Sequence, residues 1–176
     1  SQVVTVLKSL SRNKMAILGL VILILLTLMA IFAPYIAPYD YAQQYLAHQF
    51  QAPSAEHWFG TDEFGRDVFS RIVYGTRVSL LVGFVSVGIA LLVGGSLGAI
   101  AGFYGKRVDN VIMRVMDVLL AIPQTLLAIA VAAALGSGLF NLMIAVGISS
   151  VPTYARIVRA SVMTIRGEEY IEAATA

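Results

Sequence analysis

The stretch Met15 to Ala33, MAILGLVILILLTLMAIFA, contains no charged side chain. As a helix it rises about 1.5 Å per residue, enough to cover a hydrocarbon core of about 30 Å. A chain holding such a run must place it in lipid or bury it on every side. A cleaved signal peptide is the competing reading. Its apolar region would be about 7–15 residues, shorter than this one, although the Ala30–Ala33 spacing keeps that alternative open. Only 12% of the residues are charged and 59% are hydrophobic, against about 25% charged in soluble domains. Lipid is therefore the expected solvent for much of the chain.

Three further apolar runs follow. Val78 to Phe103 is rich in glycine, and Gly94, Gly98 and Gly102 recur every four residues on one helix face. Ser79, Gly83, Ser86 and Ala90 roughly continue that stripe, and small side chains let a second helix backbone approach closely. Val115 to Leu135 is the third run, with Pro123 inside it. Arg114 and Asp117 near its start read as an interfacial ion pair. Phe140 to about Ala155 is the fourth, interrupted by Pro152, and Gly136-Ser137-Gly138 between the last two reads as a tight turn. The expected fold is an all-α polytopic membrane protein with four spans.

Basic residues set the expected orientation. Lys8, Arg12 and Lys14 precede the first span, Lys106, Arg107 and Arg114 lie in the second link, and Arg156, Arg159 and Arg166 lie in the tail. Alternating spans put these nine on one side and Arg66, Arg71 and Arg77 on the other. The N-terminus is then cytoplasmic and residues 34–77 are extracytoplasmic.

That external segment is the least greasy part of the chain. It starts with prolines and tyrosines, consistent with a loop at the membrane surface. It ends in GTDEFGRDVFSRIVYGTR, residues 60–77. Phe64, Val68 and Ile72 recur every four residues, which predicts a short amphipathic helix along the outer surface that feeds the second span. Asp67 and Arg71 stand in the favourable i,i+4 order, and Asp62, Glu63 and Asp67 suit the start of that helix.

Enzyme chemistry finds no support. There is no Cys, which excludes disulfides and thiolate metal sites. No G-x-x-x-x-G-K-[ST] loop is present, and Gly147-Ile148-Ser149-Ser150-Val151 fails the G-x-S-x-G pattern. His48 and His57 are not at the spacing of a helical zinc pair and read as interfacial histidines. No metal site and no cofactor are expected. A net charge of +2 without a basic aromatic run gives no sign of nucleic-acid binding.

Gly60 to Leu80 resembles the stretch ahead of the second span in one family, the inner-membrane permease subunits of dipeptide, oligopeptide and nickel-type ABC importers. NKMAILGLVIL, APYIAPYD, PSAEHWFGTDEFGRD, GFYGKRVDNVIMRVMDVLLAIPQTLLAIA and PTYARIVRASVMTIRGEEYIEAATA are similar to the same family in the same order. The likeness is strongest to the second of its two paired permeases. It implies a type I importer permease fold, with residues 1–33 as cytoplasmic N-terminus and first span, 34–77 as external loop, and 78–176 as the start of the permease domain. It implies a family motif at Gly60, Thr61, Asp62, Gly65, Arg66, Asp67, Ser70, Arg71, Gly75 and Arg77.

The resemblance also implies an "EAA" coupling loop at Glu168, Glu169, Tyr170, Glu172, Ala173 and Ala174, where a short helix docks on a separate ATPase. On composition alone the same residues read as an ordinary juxtamembrane helix. Implied partners are a homologous second permease, two cytoplasmic ATP-binding subunits, an extracytoplasmic substrate-binding protein and membrane lipid. The family continues with two more spans, so the chain is expected to be an N-terminal fragment carrying four of six, in a prokaryotic inner membrane. Dipeptides, longer peptides, glutathione and nickel complexes are the cargo candidates.

Two other classes compete. An ion-coupled secondary transporter or channel would place ionisable residues within the spans, and here only Asp117 lies near one, at its end. A non-transporting scaffold is the third class. Gln124, Thr125, Asn141, Ser149 and Ser150 are polar residues within or beside the spans, and such groups more often satisfy nearby backbone than line a path.

Overall fold

A computed structural model describes residues 13–166, which are built of helices joined by short links and one long loop. The helices are α1 (Lys14–Ile31), α2 (Ala33–Ile36), α3 (Val68–Tyr104), α4 (Lys106–Leu120), α5 (Gln124–Leu135) and α6 (Leu139–Arg166). A 3₁₀ turn covers Leu46–His48. The chain separates into two compact units, 1–80 and 81–176. Among the described residues three helices are long and apolar enough to cross a membrane, giving up to four spans if the bent pair α4–α5 counts as one. The all-α polytopic expectation agrees with this architecture.

In the first unit, Asn13 caps α1, its side chain accepting from the backbone N–H groups of Met15 at 3.1 Å and Ala16 at 3.3 Å. Only 6% of the apolar window of α1 is buried within the chain. Leu18, Val21, Ile22 and Leu25 all point outward. An apolar surface on every side of a helix is stable only against lipid or another apolar partner. Pro34 stands in the first turn of α2, where its missing N–H costs no hydrogen bond. Near the far end of α1, Thr76 Oγ1 lies 3.5 Å from Met29 Sδ.

The second unit is organised by α6. Ser86 Oγ on α3 donates to the Met143 carbonyl at 3.0 Å. A Cβ on Gly147 would stand 2.9 Å from the Ile89 side chain. A Cβ on Gly94 would stand 2.4 Å from the Val151 carbonyl oxygen, one on Gly98 2.2 Å from that of Ala155, and one on Gly102 2.9 Å from Val162 Cβ. Residue numbers rise together along both helices, so α3 and α6 run parallel. Backbone contact this close is possible only because these positions lack side chains. The stripe is shorter than its sequence reading, because Gly83 has nothing within 4 Å and Ser79 is exposed.

Between these two parallel helices the chain must return. It does so through α4 and α5, which meet at 89° across a break at 121–123. The run read from sequence as one span with Pro123 inside it is thus two helices with a sharp break between them. Pro123 has no N–H to donate and disfavours helix in the residue before it, so it starts α5 instead of kinking a continuous helix. With 12 residues, α5 is about 18 Å long, too short to cross alone.

Met116 on α4 is buried with Val151 and Ala155 of α6, and Leu97, Ile112, Met113 and Leu119 pack around them. Two ion pairs also join α4 to α6, Asp109 with Arg159 and Asp117 with Arg156. The local Arg114–Asp117 pair expected from sequence gives way to the latter, since Arg156 comes to the Asp117 carboxylate from the neighbouring helix.

Pro152 does not interrupt α6, which continues for 28 residues with the proline buried inside it. The Gly136-Ser137-Gly138 turn is as expected, with φ of +87° and +145° at its two glycines. Gln124 Nε2 donates to Ser150 Oγ at 2.9 Å. Asn141 donates to the Leu135 carbonyl at 2.8 Å, and Ser149 and Ser150 both donate to that of Val146. Three of these four polar side chains thus satisfy backbone carbonyls.

Candidate functional site

The polar segment Gly60–Arg71 folds as a knot on which the long loop is tied. Backbone bonds link it to an earlier strand of loop. Thr61 N–H donates to Gln51 O at 3.1 Å, Phe50 N–H to Asp62 O at 3.2 Å, and Tyr45 N–H to Phe64 O at 3.1 Å. Thr61 Oγ1 accepts from Gln51 N–H at 2.9 Å and donates to the His48 carbonyl. Gly65 adopts φ +70°, and a Cβ there would lie 1.8 Å from the Tyr45 carbonyl oxygen. Gly60 is similar, at φ +72° with Gln51 O at 2.3 Å from the same position. Both glycines answer a backbone need: a left-handed turn pressed against a neighbouring strand.

Asp62 is the hub of the turn. Its carboxylate accepts from the backbone N–H groups of Phe64 at 2.9 Å and Arg66 at 3.0 Å, from Arg66 Nε at 2.8 Å, and from the Arg71 guanidinium. Burial works against its ionisation. The two backbone donors and the Arg66 side chain outweigh that penalty and bring its pKa down to about 2. Phe64 therefore sits in a turn, outside the helix that the Phe64-Val68-Ile72 spacing predicts.

Asp67 begins α3. Its Oδ2 accepts from Ser70 N–H at 2.7 Å, a helix N-cap bond. Its Oδ1 lies 3.0 Å from His57 Nδ1. Burial again opposes the charge, but the Ser70 and His57 bonds hold the Asp67 pKa below the usual carboxylate value. The Asp67–Arg71 pair expected from i,i+4 spacing does not form. Arg71 turns to Asp62, because Asp67 is buried beneath the loop with both oxygens occupied. Nor does a separate surface helix exist: α3 runs unbroken from Val68 to Tyr104.

The sequence reading gave no part in the knot to Tyr39, His48 or His57. His57, expected at an interface, is 7% exposed. Ser70 Oγ accepts from Tyr39 N–H at 3.2 Å, and the Tyr39 hydroxyl donates to the Glu56 carbonyl at 3.1 Å. His48 stands edge-on to His57, with centroids 6.3 Å apart. A periodic signal cannot find such residues, since each lies in irregular loop and meets its partner only in three dimensions. Gly75 and Arg77, lower on α3, line a second cavity with Tyr41, Arg71, Tyr74 and Ser79. Gly94, Gly98 and Gly102 face α6, as described above. Glu168, Glu169, Tyr170, Glu172, Ala173 and Ala174 lie outside the described residues.

Chemically, the knot offers hydrogen bonds and charge pairs, all serving the loop itself. Among the described residues no group of three or more His, Asp or Glu side chains is placed to hold a metal ion. Its arrangement is that of a hydrogen-bonded platform at the head of α3.

Comparison with known proteins bears on the role of that platform. Residues 1–53 match the family described as the N-terminal transmembrane domain of oligopeptide transport permease C. Residues 94–176 match the family described as the binding-protein-dependent transport system inner membrane component. The chain is 52% identical over 169 residues to the dipeptide transport system permease protein DppC of Alkalihalophilus pseudofirmus, covering 96% of this chain and 56% of that one. It is 43% identical to the oligopeptide transport system permease protein OppC of Bacillus subtilis, covering 90% of this chain and 52% of that one. The glutathione transport system permease protein GsiD of Pectobacterium atrosepticum is 44% identical, with 93% and 54% covered. The chain thus spans about half the length of the curated relatives it matches. Its two matched segments thus belong, as the sequence motifs implied, to families of transport permease components, the second of them the inner membrane component of binding-protein-dependent transport systems.

Proposed function

We propose that this chain is part of a permease subunit in an ATP-driven, binding-protein-dependent importer of peptides or a related small solute. The observation that carries this reading is the 52% identity to a dipeptide permease over 96% of the chain. Identity that extensive, through loop and helices alike, goes beyond a shared fold. The relatives' printed cargoes include dipeptides, oligopeptides and glutathione, so a small peptide is the proposed cargo class.

The proposed partners are a homologous second permease, two cytoplasmic ATPases and an external binding protein. ATP hydrolysis belongs to the ATPases, and this subunit acts as the mechanical element that they move. The N-terminus is proposed to be cytoplasmic. The parallel run of α3 and α6 supports this, because two parallel spans need one return crossing between them, and α4–α5 supplies it. The basic residues beside α1, at 106–107 and at Arg166 then share one side, which suits the cytoplasm. Residues 60–77 face outward, toward the binding protein, and the Glu172-Ala173-Ala174 segment faces the ATPase.

Co-purification of the full-length protein with its ATPase tests this. The ATPase is expected to accompany the wild type and to be lost on Glu172→Arg in protein that still inserts in the membrane. Retention of the ATPase by that variant removes the docking assignment. Failure of the wild type to bring down any ATPase removes the importer reading.

A further inference from the structure

Beside the knot lies a cavity of about 190 Å³ within the first unit. Three carboxylates line it, Asp40, Glu56 and Asp67, and no Lys or Arg does. The rings of Tyr39, Tyr45 and His48 form much of the remaining wall. His57 also lines it, with a side chain only 8% exposed. Nδ1 of His57 is held by Asp67 at 3.0 Å, which makes that nitrogen the donor and leaves Nε2 of the neutral ring an acceptor. Among the described residues no partner takes Nε2, and none of their fully buried side-chain nitrogens or oxygens lacks a partner. Nε2 is therefore open, and the cavity is the space that the buried ring adjoins.

A wall of carboxylates, ring faces and one oriented imidazole acceptor has a definite preference. Anions are repelled. A hydrophobic ligand would strip water from Nε2 and from the exposed carboxylates of Asp40 and Glu56. A primary ammonium answers each feature, donating to Nε2, neutralising carboxylate charge and resting against aromatic faces. A volume of about 190 Å³ admits an ammonium with a short alkyl stem. We propose that this cavity is a binding site for a primary ammonium group. Two sources present that chemistry: the N-terminus of a small peptide, and a lysine side chain of a docking protein. The site itself needs neither the transport reading nor any membrane orientation.

Saturation-transfer NMR on the full-length protein in lipid nanodiscs tests it, with n-butylammonium as the first probe. Saturable binding is expected, together with at least roughly tenfold weaker binding of tetramethylammonium, which has no N–H to donate. The double variant Asp40→Asn/Glu56→Gln changes two exposed side chains. Its Asp40→Asn change keeps a side-chain oxygen for the Ala42 N–H bond that Asp40 accepts. The double variant should fold normally by circular dichroism and weaken n-butylammonium by roughly tenfold or more. Glycylglycine amide and acetyl-Gly-Lys-Gly amide then separate the sources, the tighter of the two showing which ammonium the site prefers. No saturable binding of any ammonium probe, equal binding of tetramethylammonium, or unchanged binding in the folded double variant would each overturn the proposal.

Discussion

Gly98 of α3 lies directly against the backbone of Ala155 in α6, so that a Cβ on the glycine would stand 2.2 Å from the Ala155 carbonyl oxygen. Ala155 is itself fully buried. The contact is backbone on backbone, and it sets how near two parallel membrane helices approach.

Gly98→Val is therefore expected to force the helices apart or abolish the packed form, at a cost of about 1–3 kcal/mol or more. Gly83→Ala is the matched control, since nothing lies within 4 Å of that position. Thermal unfolding of both full-length variants in detergent should show a lowered midpoint for Gly98→Val alone. Equal midpoints would mean that the glycine contact does not hold α3 on α6.

Gly65→Ala should be among the most damaging single changes in the loop between α2 and α3. The added methyl would meet the Tyr45 carbonyl oxygen, and φ of +70° is unfavourable for alanine. Limited proteolysis between residues 45 and 65 is expected to accelerate strongly in this variant. Gly75→Ala, at a helical position with nothing within 4 Å, should leave cleavage unchanged.

Asp67→Asn keeps the size of the N-cap but removes the charge facing His57 and Ser70. A loss of about 1–2 kcal/mol is expected for α3 and the loop it anchors. Hydrogen exchange at Ser70 N–H checks this directly, since that amide donates to Asp67 at 2.7 Å. Protection there should fall in the variant, while amides around Gly98 keep theirs.

Asp62 has its folded pKa lowered from 3.8 to about 2. The unfolded carboxyl takes up its proton first as the solution is acidified. The stabilisation from Asp62 is thus complete above about pH 4, and falls away between there and about pH 2. Its size is on the order of 1–2 kcal/mol after allowing for partial solvent screening. Asp62→Asn should flatten the acid limb of loop stability in that window, and an unchanged limb would refute the assignment.

Asp109 and Arg159 join α4 to α6 through two hydrogen bonds. A double-mutant cycle with Asp109→Asn and Arg159→Gln is expected to give a coupling of about 0.5–3 kcal/mol. Additive losses would mean that the pair contributes nothing to holding the returning segment on α6.

Much of this protein can be read along the chain. The charge-free run at 15–33, the four-residue recurrence of Gly94, Gly98 and Gly102, and the glycines around Ser137 are local patterns, and each yields the element it suggests. The order of motifs likewise points to a permease without any knowledge of the fold. Where side-chain partners were inferred from spacing, the inference failed. Asp67 and Arg71 stand in a favourable order, yet Arg71 goes to Asp62 and Asp67 to His57. Arg114 is three residues from Asp117, yet Arg156 takes its place.

A span depends on the length and apolarity of one continuous segment, so sequence alone determined that this chain is helical and lives in lipid. Pairing depends on which segments are brought together. That was decided by the parallel packing of α3 on α6, the sharp turn at Pro123 and the folding of the long loop over Asp67. The physical reason is range: helix formation is settled within a few residues, whereas a carboxylate takes whichever donor the fold delivers within about 3 Å.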